Sequence, residues 1–255
     1  MITDNLNTKR WYETWFDSPY YHLLYQHRDE QEAKQLIDHL FQKLPVAPTA
    51  RILDMACGRG RHAIYLHQKG FNVTGVDLSE ASIAFARQFE TKNLSFNVHN
   101  IHNPYRVNHY DVCLNLFTSF GYDERDEDNF RVITSAVADL RVGGYFVLDY
   151  FNTEYLFSQK ITSEQRLFLD EIEFNICRSA ANGFVMKSIS VVKDGKLHFF
   201  QERVKHYTLS QLLEFYEQAQ LEVVAVYGDY NMNNFDPLQS NRIVLIGKKS
   251  FRYEK

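Results

Sequence analysis

An apolar run that ends in an acid and is followed by two glycines is the part of this chain with the most evident chemistry. The run leads into Asp54, and Gly58 and Gly60 follow with one residue between them. Glycine lets the backbone turn tightly and leaves no side chain between it and a bound small molecule. Together with Ala63, the glycines also satisfy the G-x-G-x-x-G/A pattern of dinucleotide-binding turns. The spacing therefore indicates a small-molecule site without fixing the ligand.

Two carboxylates help to choose among ligands. A pyrophosphate binds where backbone amides and a helix dipole present positive charge, and Asp54, just before the glycines, would repel it. A second apolar strand ends in Asp77, 23 positions after Asp54, where an acid can accept hydrogen bonds from both hydroxyls of a ribose. Either acid alone has a simpler interpretation as a helix cap. Together they favour a ligand with an amine, a sulfonium and a ribose but no phosphate.

Four segments, in the same order along the chain, resemble motifs of the class I S-adenosylmethionine-dependent methyltransferases. Residues 53–60 resemble the first motif, 75–79 the second, 110–117 the fourth strand, and 140–149 the turn into the fifth strand. More loosely, the C-terminal half and the N-terminus resemble the small-molecule branch that includes amino-sugar N,N-dimethyltransferases. In that branch a tyrosine pair stands near the cofactor, where this chain has residues 21–25.

The resemblance implies S-adenosylmethionine as the cofactor, bound by the loops that follow the strands and by the N-terminal tyrosines. The implied set is Tyr21, Tyr25, Asp54, Ala56, Cys57, Gly58, Gly60, Arg61, Asp77, Leu78, Ser79, Asn100, Ile101, Asn115, Leu116 and Phe117. Asn100 stands where the family usually has an acid that contacts the adenine amino group, and its oxygen can accept that bond without charge. Residues 115–117 differ from the Asn/Asp-Pro-Pro-Tyr signature of base and glutamine N-methyltransferases. The difference argues against nucleic-acid bases as acceptors.

Methyl transfer from a sulfonium needs mainly proximity and alignment, so the sequence assigns no catalytic residue. A base is optional for an amine acceptor that is neutral at pH 7 and more useful for a hydroxyl. Polar residues at presumed strand ends and loops are the candidates for binding the acceptor, each with an ordinary structural alternative. They are Ser119, Tyr122, Asn152, Arg178, His206, Tyr230 and Arg242. The ten histidines form no trusted metal-binding grouping, so no metal is expected.

Composition narrows the class of partner. The 255 residues carry a net charge of −4, which argues against a nucleic-acid partner because such proteins normally present a basic stripe. Three widely spaced cysteines favour a reducing compartment. No apolar run approaches the ~20 residues that span a bilayer, and no signal peptide is evident. These features predict a cytoplasmic protein, a monomer or homodimer, with no membrane partner.

Alternating strand and helix patterns from residue 51 to residue 150 predict an α/β fold of the Rossmann-like, doubly wound type. The sheet is expected to have seven strands, the last two forming an antiparallel hairpin. Three β-rich stretches between about 171 and 206, separated by Asn-Gly and Asp-Gly, predict an antiparallel meander inserted after strand five. The expected division is a helical lid over 1–48, a core over 49–155 and 207–250, and the insert over 156–206.

The leading interpretation is an S-adenosylmethionine-dependent methyltransferase that acts on an amine or hydroxyl of a small molecule. One alternative is a NAD-dependent oxidoreductase that uses the same glycine turn, and Asp54 and the closing hairpin argue against it. Another is a non-catalytic regulatory protein that keeps the cofactor pocket, since a fold does not prove turnover. A methyltransferase for protein or RNA is disfavoured by the charge.

The N-terminal aromatic residues allow two interpretations. Residues 11–28 hold seven Trp, Tyr and Phe side chains, more than a solvated tail would carry. They either fold over the cofactor cleft as a lid that excludes water from the sulfonium or pack permanently as core.

Overall fold

The computed structural model describes residues 10–26, 30–159 and 161–250. The chain forms two compact units, each with its own hydrophobic core. The larger unit comprises the described residues 30–159 and 205–250, and the smaller comprises 10–26 and 161–204. Residues 10–26 of the expected lid and most of the expected insert thus share the smaller unit. The larger unit contains residues 30–48 of the expected lid and residues 156–159 and 205–206 of the expected insert.

Eight α-helices are described, and a single 3₁₀ turn follows the fifth. The helices are α1 Trp11–Trp15, α2 Pro19–Leu24, α3 Glu30–Lys43, α4 Arg61–Gln68, α5 Glu80–Ala86, α6 Asp126–Asp139, α7 Thr153–Ser158 and α8 Leu209–Gln218. Within the described residues, none of these helices is long and apolar enough to cross a membrane.

Eleven strands are described, and they form two sheets. The strands are β1 Arg51–Met55, β2 Asn72–Asp77, β3 Leu94–Val98, β4 Tyr110–Asn115, β5 Leu140–Phe151, β6 Ser163–Leu169, β7 Ile172–Ala181, β8 Phe184–Lys193, β9 Lys196–Lys205, β10 Leu221–Tyr227 and β11 Arg242–Lys249.

The sheet of the larger unit has the order β10-β11-β5-β4-β1-β2-β3. Strands β1 to β5 pair in parallel, while β11 runs antiparallel to both β5 and β10. This arrangement confirms the predicted Rossmann-like fold with a terminal antiparallel hairpin. The central strands β1 and β4 are buried on both faces, as is typical of strands in the middle of a parallel sheet.

Helix α3 illustrates how the spacing of apolar residues positions an element. Its buried residues are Ala33, Leu36, Ile37 and Leu40, and this three- and four-residue spacing lines one face of a helix. The face joins the core of the larger unit. Because this face of α3 is buried in the core, α3 contributes to the hydrophobic core of the larger unit.

The smaller unit is an antiparallel sheet of four strands in the order β6-β7-β8-β9. The predicted insert contained only three β-rich stretches, because β6 is almost entirely exposed and lacks an apolar alternation. Helices α1 and α2 pack on this sheet through Trp15 and Leu24, which lie among Phe174, Ile189 and other buried residues. Trp15 is thus buried in the core of the smaller unit, and the other N-terminal aromatic residues that pack against this core are Trp11, Phe16, Tyr20, Tyr21 and Tyr25.

Candidate functional site

The order in which the chain adds parallel strands to the sheet changes side at β1, between β1 and β4. The chain passes from β1 to β2 and β3 on one side, then to β4 and β5 on the other. Loops that follow strands on either side of such a point diverge and leave a crevice at the carboxyl edge. The loops after β1, β2 and β4 carry most of the residues expected to bind a cofactor, so the topology gathers these residues at one edge.

Asp54 lies at the end of β1 and is 1% exposed. Its Oδ2 atom has no hydrogen-bond partner within the described residues, while the Ala63 backbone bonds the carboxylate. Burial, together with the negative charge of Asp77, raises the pKa of Asp54 to about 7. A buried carboxylate with an unpaired oxygen is costly unless a cationic or donor group approaches it. The site therefore fits a ligand that carries an ammonium group.

The two glycines after Asp54 serve different purposes. Both adopt left-handed backbone angles, with φ 55° at Gly58 and 82° at Gly60. A Cβ on Gly60 would lie 2.5 Å from the Phe96 ring, whereas a Cβ on Gly58 would meet nothing within 4 Å. Gly60 is thus required for packing. Gly58 leaves the open space that a ligand can approach, and Ala56 before it also has a positive φ of 58°.

Asp77 holds the glycine loop against the end of β2. Its Oδ2 accepts a hydrogen bond from the Gly58 amide at 2.8 Å, and its Oδ1 accepts one from the Ser79 amide at 2.8 Å. Ser79 caps α5 by accepting a bond from the Ser82 amide. Because a carboxylate oxygen can accept more than one hydrogen bond, Asp77 can hold the loop and also accept a bond from a ribose hydroxyl.

Asn100, after β3, is already engaged through its oxygen. Its Oδ1 accepts a bond from the His102 amide at 3.0 Å and lies 2.7 Å from His102 Nδ1, while His102 Nε2 lies 2.6 Å from Asp123 Oδ2. The Asn100 oxygen is thus part of a contact chain that runs to Asp123. Ile101 follows in a turn and is half-buried.

The turn after β4 is strained. Phe117 and Thr118 both adopt left-handed angles, with φ 66° and 60°, a conformation that costs a non-glycine residue about 1–3 kcal/mol. Before the turn, Asn115 is fully buried, its amide nitrogen donates to the Ser119 carbonyl at 3.1 Å, and its Oδ1 has no partner in the described structure. Leu116 is buried. Strain of this kind persists only where surrounding groups hold it.

Asp149 is the group that holds the strained turn, and the sequence interpretation gave it no role in the site. Its Oδ2 accepts bonds from the Phe117 amide at 2.8 Å and from the Tyr230 hydroxyl at 2.9 Å. Its Oδ1 accepts a bond from Arg242 Nε at 2.8 Å. A signal was present, since Asp149, like Asp54 and Asp77, is an acid near the carboxyl end of an apolar strand.

Tyr230 and Arg242, both expected to bind the acceptor, are therefore partners of Asp149. Arg242 also donates from Nη2 to Thr118 Oγ1 at 2.9 Å. Burial lowers the pKa of Arg242, but the charge and hydrogen bond of Asp149, together with the electrostatic interactions with Tyr230 and Glu32, outweigh burial and raise the pKa overall. Burial and the charge of Asp149 raise the pKa of Tyr230. Arg242 is thus a cation and Tyr230 a neutral donor at any ordinary pH.

The other acceptor candidates in the larger unit have internal contacts of their own. Asn152 is buried, caps α7 through its oxygen and donates to two carbonyls of the loop before β11. Ser119 donates to the Leu116 carbonyl at 2.9 Å, and the His206 ring packs edge-on against Phe157. Tyr122 is half-buried in the loop before α6. These contacts give Asn152 a structural role in this loop.

The smaller unit holds Tyr21, Tyr25 and Arg178. The Tyr25 hydroxyl donates to Glu202 Oε1 at 2.6 Å, and the Lys187 ammonium lies 4.4 Å from the centre of its ring. Tyr21 stacks at an angle against Tyr25, with ring centres 4.9 Å apart. Arg178 lies on the same face of β7 as Phe174 and Ile176, because side chains two residues apart in a strand point to the same side. The tyrosine pair is thus held by a carboxylate and a lysine within this unit.

The thiol and imidazole groups near the glycine loop are neutral at pH 7. Burial raises the pKa of the Cys57 thiol well above its usual range, so Cys57 is not a nucleophile at pH 7. Burial, followed by the charge of Arg61, lowers the pKa of His62 to about 3, so His62 is neutral. Arg61 stacks over the Phe117 ring at 4.5 Å, and Leu78 is exposed beside Asp77. The part of the chain that the structure describes holds no cluster of three or more metal-binding side chains.

Comparison with known proteins defines the class. The family described as "Methyltransferase domain" matches residues 47–207. Among curated proteins, the chain is 60% identical over 38 residues to YqeM of Bacillus subtilis and 29% identical over 124 residues to glycine N-methyltransferase of Rattus norvegicus. These matches cover 15% and 42% of this chain, and 15% and 42% of the relatives' own lengths.

Solved structures of methyltransferases share the fold over most of the chain. An S-adenosylmethionine-dependent methyltransferase from Clostridium acetobutylicum aligns with a TM-score of 0.76 at 22% identity, covering 91% of this chain and 96% of that one. CalS10, an amino pentose methyltransferase from Micromonospora echinaspora solved with S-adenosylmethionine bound, aligns with a TM-score of 0.69 at 17% identity, covering 91% and 98%.

The chain belongs to the methyltransferase domain family, and it shares the fold of an S-adenosylmethionine-dependent methyltransferase. At the glycine loop it presents the Oδ2 of Asp54 without a hydrogen-bond partner among the described residues, open space at Gly58, and the Asp77 carboxylate. The oxidoreductase alternative is set aside by the family match.

Proposed function

We propose that this chain transfers the methyl group of S-adenosylmethionine to an amine or hydroxyl of a small molecule, with amino sugars as the acceptor class. The observation that carries the proposal is the buried, unpaired Oδ2 of Asp54 beside the open glycine loop. A phosphate-bearing cofactor would face repulsion there, whereas an ammonium group would complete the carboxylate's bonding.

The chain's own residues bind and orient. S-adenosylmethionine, when bound, supplies an activated methyl group for in-line displacement by the acceptor. Asp54 holds the amino group, Asp77 the ribose hydroxyls, and the segment Asn115–Phe117 lines the end of β4 toward the reacting centre. Orientation of this kind is the main catalytic requirement of a reaction whose driving force lies in the donor. No residue of the chain needs to act as a base when the acceptor is a neutral amine.

The choice of amino sugars rests on likeness rather than on a contact. CalS10 is an amino pentose methyltransferase, and KedS8, a sugar N-methyltransferase from Streptoalloteichus, aligns with a TM-score of 0.69 at 17% identity. The loose resemblance of residues 21–25 to the tyrosine pair of the same branch points the same way. The net charge of −4 also favours a small acceptor over a nucleic acid.

Two measurements test the proposal in sequence. Isothermal calorimetry should give much tighter binding of S-adenosylhomocysteine than of NAD. The full chain with S-adenosylmethionine should then release S-adenosylhomocysteine when given amino sugars, and less with the matching sugars that carry a hydroxyl instead of the amine. Tighter binding of NAD would contradict the cofactor assignment. Cofactor binding without turnover on any small amine or hydroxyl would favour a non-catalytic regulatory protein.

A further inference from the structure

We infer that Asp149, Arg242 and Tyr230 form a positioning network that sets the strained turn after β4 against the methyl end of the bound cofactor. The inference rests on the proposed function. It assigns a role in methyl-group recognition to three residues, none of which needs to touch the acceptor.

The network joins four separate parts of the larger unit. Asp149 lies in β5, Arg242 begins β11, and Tyr230 lies in the loop between β10 and β11. The fourth part is the turn after β4, whose amides at Phe117 and Thr118 bond the side chain and the backbone carbonyl of Asp149, at 2.8 Å and 3.0 Å. Because Asp149 is 0% exposed, water cannot replace any of these donors.

The hydrogen-bond donors of the network converge on the two carboxylate oxygens of Asp149 and so restrain the turn after β4. Asp149 Oδ1 takes the guanidinium of Arg242, at 2.8 Å from Nε and 2.6 Å from Nη2, and Oδ2 takes the Tyr230 hydroxyl and the Phe117 amide. Arg242 then reaches Thr118 Oγ1 at 2.9 Å. A charged, fully bonded and buried group of this kind fixes geometry more strongly than apolar packing, which allows side chains to shift. Two consecutive left-handed residues indicate that the turn needs such a restraint.

On the proposed binding mode, the turn after β4 borders the crevice that would hold the sulfonium. In S-adenosylmethionine the sulfur joins the ribose to the amino-acid end, so a ligand with its ribose at Asp77 on β2 and its amino group at Asp54 on β1 would carry its sulfur at the carboxyl edge of these strands. β4 is the neighbour of β1 on the side opposite β2, so the turn after β4 borders the same edge. Arg61, stacked on the Phe117 ring at 4.5 Å, links the same turn to the glycine loop.

The experiment compares two probes that differ only at sulfur. Dissociation constants of S-adenosylmethionine and S-adenosylhomocysteine are measured by calorimetry on the full chain, and their ratio reports contacts at the methyl-bearing sulfonium. Tyr230→Phe removes one donor to Asp149, and Thr118→Gly relieves the left-handed strain while removing the acceptor for Arg242. We expect each variant to weaken S-adenosylmethionine relative to S-adenosylhomocysteine by at least about threefold, with a melting temperature near that of the wild type.

Matched controls separate positioning from general destabilisation. Tyr65→Phe removes a hydroxyl that donates to the carboxylate of Asp38, and Gln220→Gly relieves a left-handed residue with φ 59° before β10, at the other edge of the sheet. Both controls should leave the ratio unchanged. An unchanged ratio in Tyr230→Phe and Thr118→Gly would overturn the inference alone. A wild-type chain that binds neither probe would overturn the proposed function itself.

Discussion

Cofactor binding should lose strength steeply in acid because of a single group, Asp54. Burial and the neighbouring charge of Asp77 raise the pKa of Asp54 to about 7 in the cofactor-free protein. The ammonium group of S-adenosylhomocysteine favours the ionised carboxylate. Below pH 7 the carboxyl is mostly protonated and must lose its proton before it can pair. The affinity for S-adenosylhomocysteine therefore reaches its full value above pH 7 and falls as the pH drops through that value.

The size of the effect follows from the fraction of ionised Asp54. That fraction falls about tenfold for each pH unit below the pKa, so the dissociation constant should rise about a hundredfold from pH 8 to pH 5, or ~2.7 kcal/mol. The amino and carboxyl groups of S-adenosylhomocysteine keep their charges across this range. The neighbouring His62 does not interfere, because burial lowers its pKa to about 3 and it stays neutral throughout this range.

The assay is calorimetry of S-adenosylhomocysteine binding at pH 5, 6, 7 and 8, in buffers of different ionisation enthalpy. At pH 6 the buffers should report nearly one proton released for each molecule bound. The control is Asp54→Asn, which should bind more weakly and show little pH dependence. A wild-type affinity that stays constant down to pH 5 would refute the argument. So would a pH dependence that survives in Asp54→Asn.

Three further predictions follow from the same edge of the sheet and from the smaller unit. Asp77→Ala should weaken S-adenosylhomocysteine binding by ~2–4 kcal/mol in calorimetry, and it should lower the melting temperature modestly because two loop amides lose their acceptor; normal binding would make Asp77 only a cap. Gly60→Ala should lower the free energy of unfolding in urea by ~2–4 kcal/mol because the new Cβ meets Phe96. Gly58→Ala should chiefly weaken cofactor binding. A larger loss of stability in Gly58→Ala than in Gly60→Ala would contradict this division of roles. If residues 10–26 act as a lid, their amide hydrogen exchange should slow when S-adenosylhomocysteine is added; equal exchange in both states would leave them as core.

Asn100 shows how a residue chosen from a sequence motif can have contacts that the motif does not reveal. It lies after β3 and is predicted to present its oxygen to the adenine amino group. In the structure that oxygen contacts the backbone amide and the ring of His102, which in turn contacts Asp123. Nothing in the local sequence links residues 100 and 123. Contacts between loops that follow different strands depend on the packing of the strands themselves.

The sequence by itself determined the class of fold and the carboxyl-edge motifs. Apolar runs of strand length, helices with three- and four-residue spacing, and carboxylates at strand ends are local patterns, and each reports the burial of its own element. They predicted the α/β fold with its seven-stranded sheet and terminal hairpin, and the resemblance of four motifs predicted the methyltransferase family; these predictions are confirmed. β6 escaped prediction because an exposed edge strand carries no apolar alternation.

Only the tertiary structure decided what the polar residues do. Arg242 and Tyr230 were candidates for binding the acceptor because they are polar residues near strand ends. Folding brings them against Asp149, 93 and 81 positions away, where a buried carboxylate needs donors from whatever segment lies nearest. Gly60 likewise differs from Gly58 only through Phe96, a residue on another strand. A side chain's partner is set by three-dimensional proximity, and the local sequence that fixes a helix or strand carries no record of it.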